Sequence, residues 1–256
     1  MRILFIGDIV GKPGRQVVRD KLSYLKKEYS LDFVVANGEN SAGGFGITDK
    51  IYRELREMGI DVITSGNHIW DKKEVYQVID QEDRLLRPLN YPPKAPGRGY
   101  GIYNVSGKGN IGVINLEGRV FMNPLDCPFR TFDGIIEKIR KVTPIIIIDF
   151  HAEATSEKRA FLHYADGRAT AVLGTHTHVT TADQQVTEKG TAYISDVGMT
   201  GVQDSVIGVE AETIIARFVT GLPQRFEVAK GTPEIRAVFI EANPEGKAED
   251  FQIIDM

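Results

Sequence analysis

Gly7-Asp8, Asn37-Gly38-Glu39-Asn40, Ser65-Gly66-Asn67-His68, Asp149-Phe150-His151 and Gly174-Thr175-His176-Thr177-His178 concentrate carboxylates, amides and imidazoles beside small residues. The chain has only five histidines, and four of them (His68, His151, His176 and His178) fall in these segments. Oxygen and nitrogen donors without a thiolate suit manganese, iron or zinc. The single cysteine, Cys127, lies in an unrelated Pro-rich stretch. Asp8, Glu39, Asn40, Asn67, His151, His176 and His178 make seven candidate ligands. A zinc ion takes about three or four protein ligands, so seven suit two ions sharing a bridging carboxylate. Two metals roughly 3.5–4 Å apart are the usual clamp for in-line displacement at phosphorus.

Each residue also has an ordinary reading. Asp8 and Asn67 suit turns or helix caps, Glu39-Asn40 a solvated loop, and a lone His151 a hydrogen-bonded core histidine. His176-x-His178 is the stronger pair, because on a strand both rings would share one face. What favours metal chemistry is that all five segments follow apolar runs. Ile3 to Ile6, Phe33 to Ala36, Val62 to Thr64, Ile145 to Ile148 and Ala171 to Leu173 read as buried strands, as does Ala192 to Ile194. Helical patterns lie between them. Val17, Val18, Leu22 and Leu25 form one apolar face after Pro13, and Thr48 to Met58 is closed by Gly59. Lys72 to Ile79, Phe132 to Arg140, Ser156 to Tyr164 and Ala211 to Phe218 are further expected helices. Tyr100 to Val105 and Ile111 to Leu116 predict a hairpin, and Ile235 to Ile240 with Phe251 to Ile254 predict more antiparallel strands. The expected fold is therefore α/β with mixed sheets, and function gathers past the carboxyl ends of its strands.

The ordered segments resemble the calcineurin-like metallophosphoesterases. Gly66-Asn67-His68 is similar to their Gly-Asn-His element, and Gly174-Thr175-His176-Thr177-His178 to their Gly-His-x-His element with one residue inserted. Two positions depart: Asp8-Ile9-Val10 lacks the usual histidine, and Gly38-Glu39-Asn40 replaces Gly-Asp. Both departures are shared by the YmdB-type bacterial phosphodiesterases, which the chain resembles along nearly its whole length. Gly7-Asp8-Ile9-Val10-Gly11, Gly66-Asn67-His68-Ile69-Trp70-Asp71 and the run Asp149 to Lys158 carry that likeness.

The resemblance implies a layered αββα sandwich of mixed sheets, with residues 1–256 as a single metallophosphoesterase domain. It implies that Asp8, Asn40 and His178 bind one metal, that Asn67, His151 and His176 bind the other, and that Glu39 bridges them. The metals would be iron or manganese, with zinc or magnesium as alternatives. His68 would act on the substrate phosphate as acid or oxyanion stabiliser while a metal-activated hydroxide attacks. The implied substrates are cyclic nucleotides, 3',5'-cAMP and/or 2',3'-cyclic forms. A homo-oligomer is also implied, with RNA as an indirect target.

A net charge of −4 gives no general attraction to nucleic acid or anionic membrane. No apolar run is long enough to span a bilayer. The lone cysteine cannot form an internal disulfide, which with the short, uncleavable-looking N-terminal run points to the cytoplasm. Gly7 to Gly14 is one residue short of a P-loop and carries Pro13 where Ser or Thr is needed, so that reading fails. His163, Trp70 and Cys127 read as structural, and Arg119 and Arg168 as surface residues more than phosphate ligands. The loop Ala42 to Gly46 is a candidate for shaping the site mouth. A phosphomonoesterase or nucleotidase would use the same ligands, and a nucleotide- or RNA-binding regulator is the non-catalytic alternative. Relative rates on mono- and diesters separate the monoesterase or nucleotidase reading from the phosphodiesterase.

Overall fold

In the computed structural model, which describes residues 1–256, the apolar runs become strands buried on both faces. The first half runs β1 (Arg2–Ile6), β2 (Asp8–Ile9), α1 (Gly11–Glu28), β3 (Phe33–Asn37), α2 (Asp49–Glu57), β4 (Val62–Thr64) and α3 (Val75–Val78). Next come β5 (Tyr100–Val105), β6 (Gly109–Glu117), α4 (Pro128–Arg140), β7 (Ile146–His151), α5 (Thr155–Ala165) and β8 (Ala171–Thr175). The remainder is β9 (Gln185–Val186), β10 (Ala192–Ile194), β11 (Met199–Val202), α6 (Ala211–Thr220), β12 (Pro233–Glu234), β13 (Arg236–Ala242) and β14 (Ala248–Asp255).

Two mixed sheets carry the fold. One has the order β14-β13-β1-β3-β4, and the other β5-β6-β7-β8-β10-β9. Within each, the central strands are parallel: β1-β3-β4 in the first and β6-β7-β8-β10 in the second. Antiparallel strands flank them, including the expected hairpin and the C-terminal pair. A small third sheet, β12-β11-β2, holds Asp8 beside Met199.

Strand side chains alternate between faces, and here each face meets a different layer. Ile3, Phe5, Phe33 and Val35 join Ile147, Ala171 and Leu173 in the core between the sheets. Leu4, Ile6, Val34 and Ala36 point the other way, against Val18, Leu22, Leu25 and Leu55 of α1 and α2. Ile146, Ile148 and Phe150 pack outward on Phe132, Ile136 and Phe161 of α4 and α5. Three cores between four layers make an αββα sandwich, the layering of the calcineurin-like fold.

Some element expectations need correction. Lys72 to Ile79 is not one helix, since only Val75–Val78 qualifies. Its approach is built from tight turns in which Val75, Tyr76 and Gln77 donate to carbonyls three residues back. Helix α4 begins at Pro128 rather than Phe132, because Pro suits the first helical turn. The Ile-rich strand runs through His151 instead of stopping at Ile148. Thr48 does cap α2, its Oγ1 accepting from Ile51 N at 3.3 Å, and Gly59 follows with φ of 97°.

Candidate metal centre

The ligand candidates converge at the carboxyl edge of both sheets. Asp8 lies on β2, Glu39 and Asn40 follow β3, and Asn67 follows β4. His151 ends β7, and His176 and His178 follow β8. His151 is fully buried, and three donor atoms surround its Nε2. Glu39 Oε1 lies at 2.9 Å, Asn67 Oδ1 at 3.0 Å and His176 Nδ1 at 3.1 Å. One ring nitrogen holds at most one proton, so it cannot satisfy all three. Glu39 Oε1, though close to Nε2, has no aligned hydrogen-bond donor.

A second group sits alongside. Asn40 Nδ2 is 2.9 Å from His178 Nε2, and Asp8 Oδ1 is 3.9 Å from the same nitrogen. Asp8 Oδ1 is also 4.0 Å from His151 Nδ1, and it too is buried without a hydrogen-bond partner. A buried unpaired carboxylate oxygen costs a few kcal/mol at least. Two such oxygens crowded beside the imidazoles of His151 and His178 fit a cation-binding cluster. Glu39, His151 and His176 offer atoms that all lie within 4.8 Å of one another. The donor set therefore fits hard or borderline divalent and trivalent ions.

The electrostatics agree with a site built for positive charge. Burial opposes ionisation, yet the His151 contact holds Glu39 at about 2. Burial likewise opposes charge on His151, but Glu39 and Asp8 hold it up at about 10. His176 is pushed down to about 3 by burial and by His151 beside it. That keeps its ring neutral, the form that ligates metal.

Local backbone explains how the loops reach inward. His176 and His178 are not on a strand, as the same-face argument required. They lie past β8, with φ of 101° and 67°, a region costly for non-glycine residues. Lys158 and Asp196 hold this turn. Lys158 Nζ donates to Thr175 O at 2.8 Å and to Asp196 Oδ2 at 2.9 Å. Asp196 Oδ2 also accepts from Thr177 N at 2.9 Å, and Oδ1 from Gly198 N at 2.9 Å. Gly66 is required because a Cβ there would lie 2.1 Å from His151 Cδ2.

Behind the ligands lies a buried network that sequence reasoning missed. His151 Nδ1 donates to Thr175 Oγ1 at 2.9 Å, and Thr175 Oγ1 donates to Asp149 Oδ1 at 2.6 Å. Asn37 Nδ2 donates to Asp149 Oδ2 at 3.0 Å. A fixed acceptor at Nδ1 leaves Nε2 as the nitrogen that could hold a metal. His178 is oriented the same way, its Nδ1 donating to Ile207 O at 2.9 Å. The clue to Asp149 was its place in the Asp-Phe-His run, two residues from His151 and so on the same strand face.

His68 lies in the first rank of the cavity without touching the ligand nitrogens. Its backbone N donates to Glu39 Oε2 at 3.1 Å, and its Nδ1 is 2.7 Å from Asp71 Oδ2. Phe45 packs edge-on to the ring at 4.9 Å. The cavity measures 530 Å³ and is lined by Glu39, Asn40, His68, His176 and His178, with Gly43, Gly44 and Phe45 at its wall. Arg168 instead pairs with Asp133 at 2.6 Å. Arg119 is absent from this wall. Trp70 packs on Tyr76 at 5.2 Å, and His163 is exposed on α5.

Comparison with known proteins gives the family to which this fold belongs. The YmdB-like protein family model matches residues 4–254. A Bacillus subtilis (strain 168) protein named 2',3'-cyclic-nucleotide 2'-phosphodiesterase is 53% identical over 96% of this chain and 93% of its own. The crystal structure of a hypothetical protein from Thermus thermophilus superimposes with a TM-score of 0.94 at 45% identity, covering 100% of this chain and 99% of that one. The structure of a novel phosphatase from Mycoplasma pneumoniae gives the same TM-score of 0.94 at 37% identity, covering 100% and 93%. With the family model spanning nearly the whole chain and a majority-identical relative beside it, this chain belongs to the YmdB-like family.

Proposed function

We propose that this chain is a metal-dependent phosphodiesterase acting on cyclic nucleotides, 2',3'-cyclic forms first and 3',5'-cAMP as a second candidate. The observation that carries the reading is the crowding of Glu39 Oε1, Asn67 Oδ1 and His176 Nδ1 around His151 Nε2 within 3.1 Å. The name of the Bacillus subtilis relative supports the cyclic-nucleotide class. In this reading Asn67, His151 and His176 hold one ion, Asp8, Asn40 and His178 hold the other, and Glu39 spans both. Residues 1–256 then act as one catalytic domain, since both sheets supply ligands. Iron or manganese, when bound, would acidify water and neutralise charge on the phosphoryl oxygens.

The chain's own residues do the rest. Asn40 turned about its amide offers Oδ1 in place of Nδ2. Thr175 and Asp149 fix the His151 ring. With Nδ1–H held by Asp71, the His68 imidazolium can give its Nε2 proton to the departing ribose oxygen and be left neutral.

The test is a pair of substitutions on metal-loaded protein. His68→Ala should lower hydrolysis of bis(p-nitrophenyl) phosphate by ~10²–10⁴-fold while bound metal, measured by mass spectrometry of the metals, stays the same. Glu39→Gln should lose metal and activity together. No diester turnover by protein reconstituted with manganese or iron would refute the proposal.

A further inference from the structure

The cavity has a second half that the metal cluster does not use. Beyond His68 and His178 its wall is mainly apolar, formed by Phe45, Ile207, Ile214, Phe218 and Phe226 with Arg217 and Glu227 among them. Phe45 and Phe226 lie nearly parallel, with centroids 6.0 Å apart and planes 27° apart. Arg217, the only lysine or arginine on this wall, places its guanidinium 5.0 Å over the Phe226 ring. Phe226 is not on a loose tail. Glu210 N donates to Glu227 O at 3.0 Å, and Ala229 N donates to Gly208 O at 2.9 Å, so the segment is stitched to the arm bearing Ile207. The loop that carries Phe45 turns through Gly43, Gly44 and Gly46, all at positive φ.

We infer that this wall is the subsite for the nucleobase of the ester, with the Phe45–Phe226 pair as its aromatic lining and Arg217, seated over Phe226, as the residue that positions the pair. The inference rests on the proposed phosphodiesterase reading and specifies which group sits beside the reacting phosphate. A flat base has π faces that stack on aromatic rings and guanidinium planes whatever its sequence identity. A volume of 530 Å³ falls within the roughly 300–1,000 Å³ of small-molecule sites. The wall is continuous with His68, His176 and His178, so one ligand can touch both halves. An uncharged alkyl tail would fill apolar space but gain little from an arginine placed over a ring.

The test is calorimetric titration of the metal-loaded full chain with adenosine 3'-monophosphate, inorganic phosphate and octyl phosphate, none of which needs turnover. Adenosine 3'-monophosphate should bind more tightly than either other probe. Phe226→Ala should weaken it about tenfold, within the range for losing one stacked base, and leave inorganic phosphate within about twofold. Phe226→Tyr should retain nucleotide affinity, and Arg217→Ala should weaken it. Equal affinity for nucleotide and phosphate in the unaltered chain would overturn the subsite, as would tighter binding of octyl phosphate. Parallel loss of phosphate binding in Phe226→Ala would overturn it too, by making Phe226 a scaffold residue. A chain that shows the expected pattern yet cleaves no diester would refute the phosphodiesterase proposal and leave the base subsite standing.

Discussion

Glu117 ends β6 directly across from His151, fully buried, and neither of its carboxylate oxygens has a hydrogen-bond partner. Burial pushes its pKa up to about 7 from 4.5, with His151 pulling the other way and Glu39 adding to the rise. The sign of the consequence is fixed by linkage. Between pH 4.5 and 7 the unfolded chain has released this proton while the folded chain still holds it. Stability therefore falls as pH rises through that window and stays lower above it, by at most on the order of 3 kcal/mol. Glu117→Gln removes the ionisation. In chelator-treated protein the variant should match the unaltered chain near pH 5 and melt several degrees higher at pH 8. Equal melting at both pH values would mean the carboxylate is satisfied after all. Sequence reasoning passed over Glu117 because a glutamate at a strand end reads as solvated, and only tertiary burial makes it costly. The seven ligand candidates stood out because each follows a strong local signal, an apolar run rich in β-branched residues. Asp149, Thr175 and Asp71 were not singled out, since their roles are hydrogen bonds to neighbours that sequence spacing does not reveal.

The strands and the longer helices were readable for the same local reason. Continuous Ile/Val runs indicate burial on both faces, and period-3.6 apolar positions mark α1 and α2. What failed were boundaries and turns. His176 and His178 have strained backbones that no pattern announces, and the element that tolerates them is α5. Its Lys158 looks like one more polar position on an amphipathic helix, yet its side chain is 2% exposed and bonded to Asp196, which is 0% exposed. The pair ties α5 to both sides of the His176 turn through Thr175 O and Thr177 N. Lys158→Met should therefore act twice. Leaving Asp196 buried without its cation should cost about 3–5 kcal/mol in denaturant unfolding. Freeing the turn should also weaken metal binding by ~10–100-fold, as loss of a residue supporting metal ligands does. Manganese titration of the folded variant reads the second effect separately. An unchanged metal affinity would reduce Lys158 to a packing role.

Asp8 and His178 are 170 positions apart in the chain, and the candidate ligands between them come first from one stacked sheet, after β3 and β4, and then from the other, at β7 and β8. The site exists only when the inter-sheet core of Phe5, Val35, Ile147 and Leu173 is formed. An unfolded chain cannot bring these donors together, so bound metal favours the folded state by mass action. At a free metal concentration 100 times the dissociation constant, one ion adds about 2.7 kcal/mol. For a chain of this size that corresponds to roughly 5–10 °C in Tm. Removing metal with a chelator should lower the melting temperature by at least that amount, and adding manganese back should restore it in a concentration-dependent way. Glu39→Ala, lacking the carboxylate grouped with His151 and His176, should melt at nearly the same temperature with and without chelator. A chelator shift that persisted in this variant would put the stabilising ion elsewhere in the molecule.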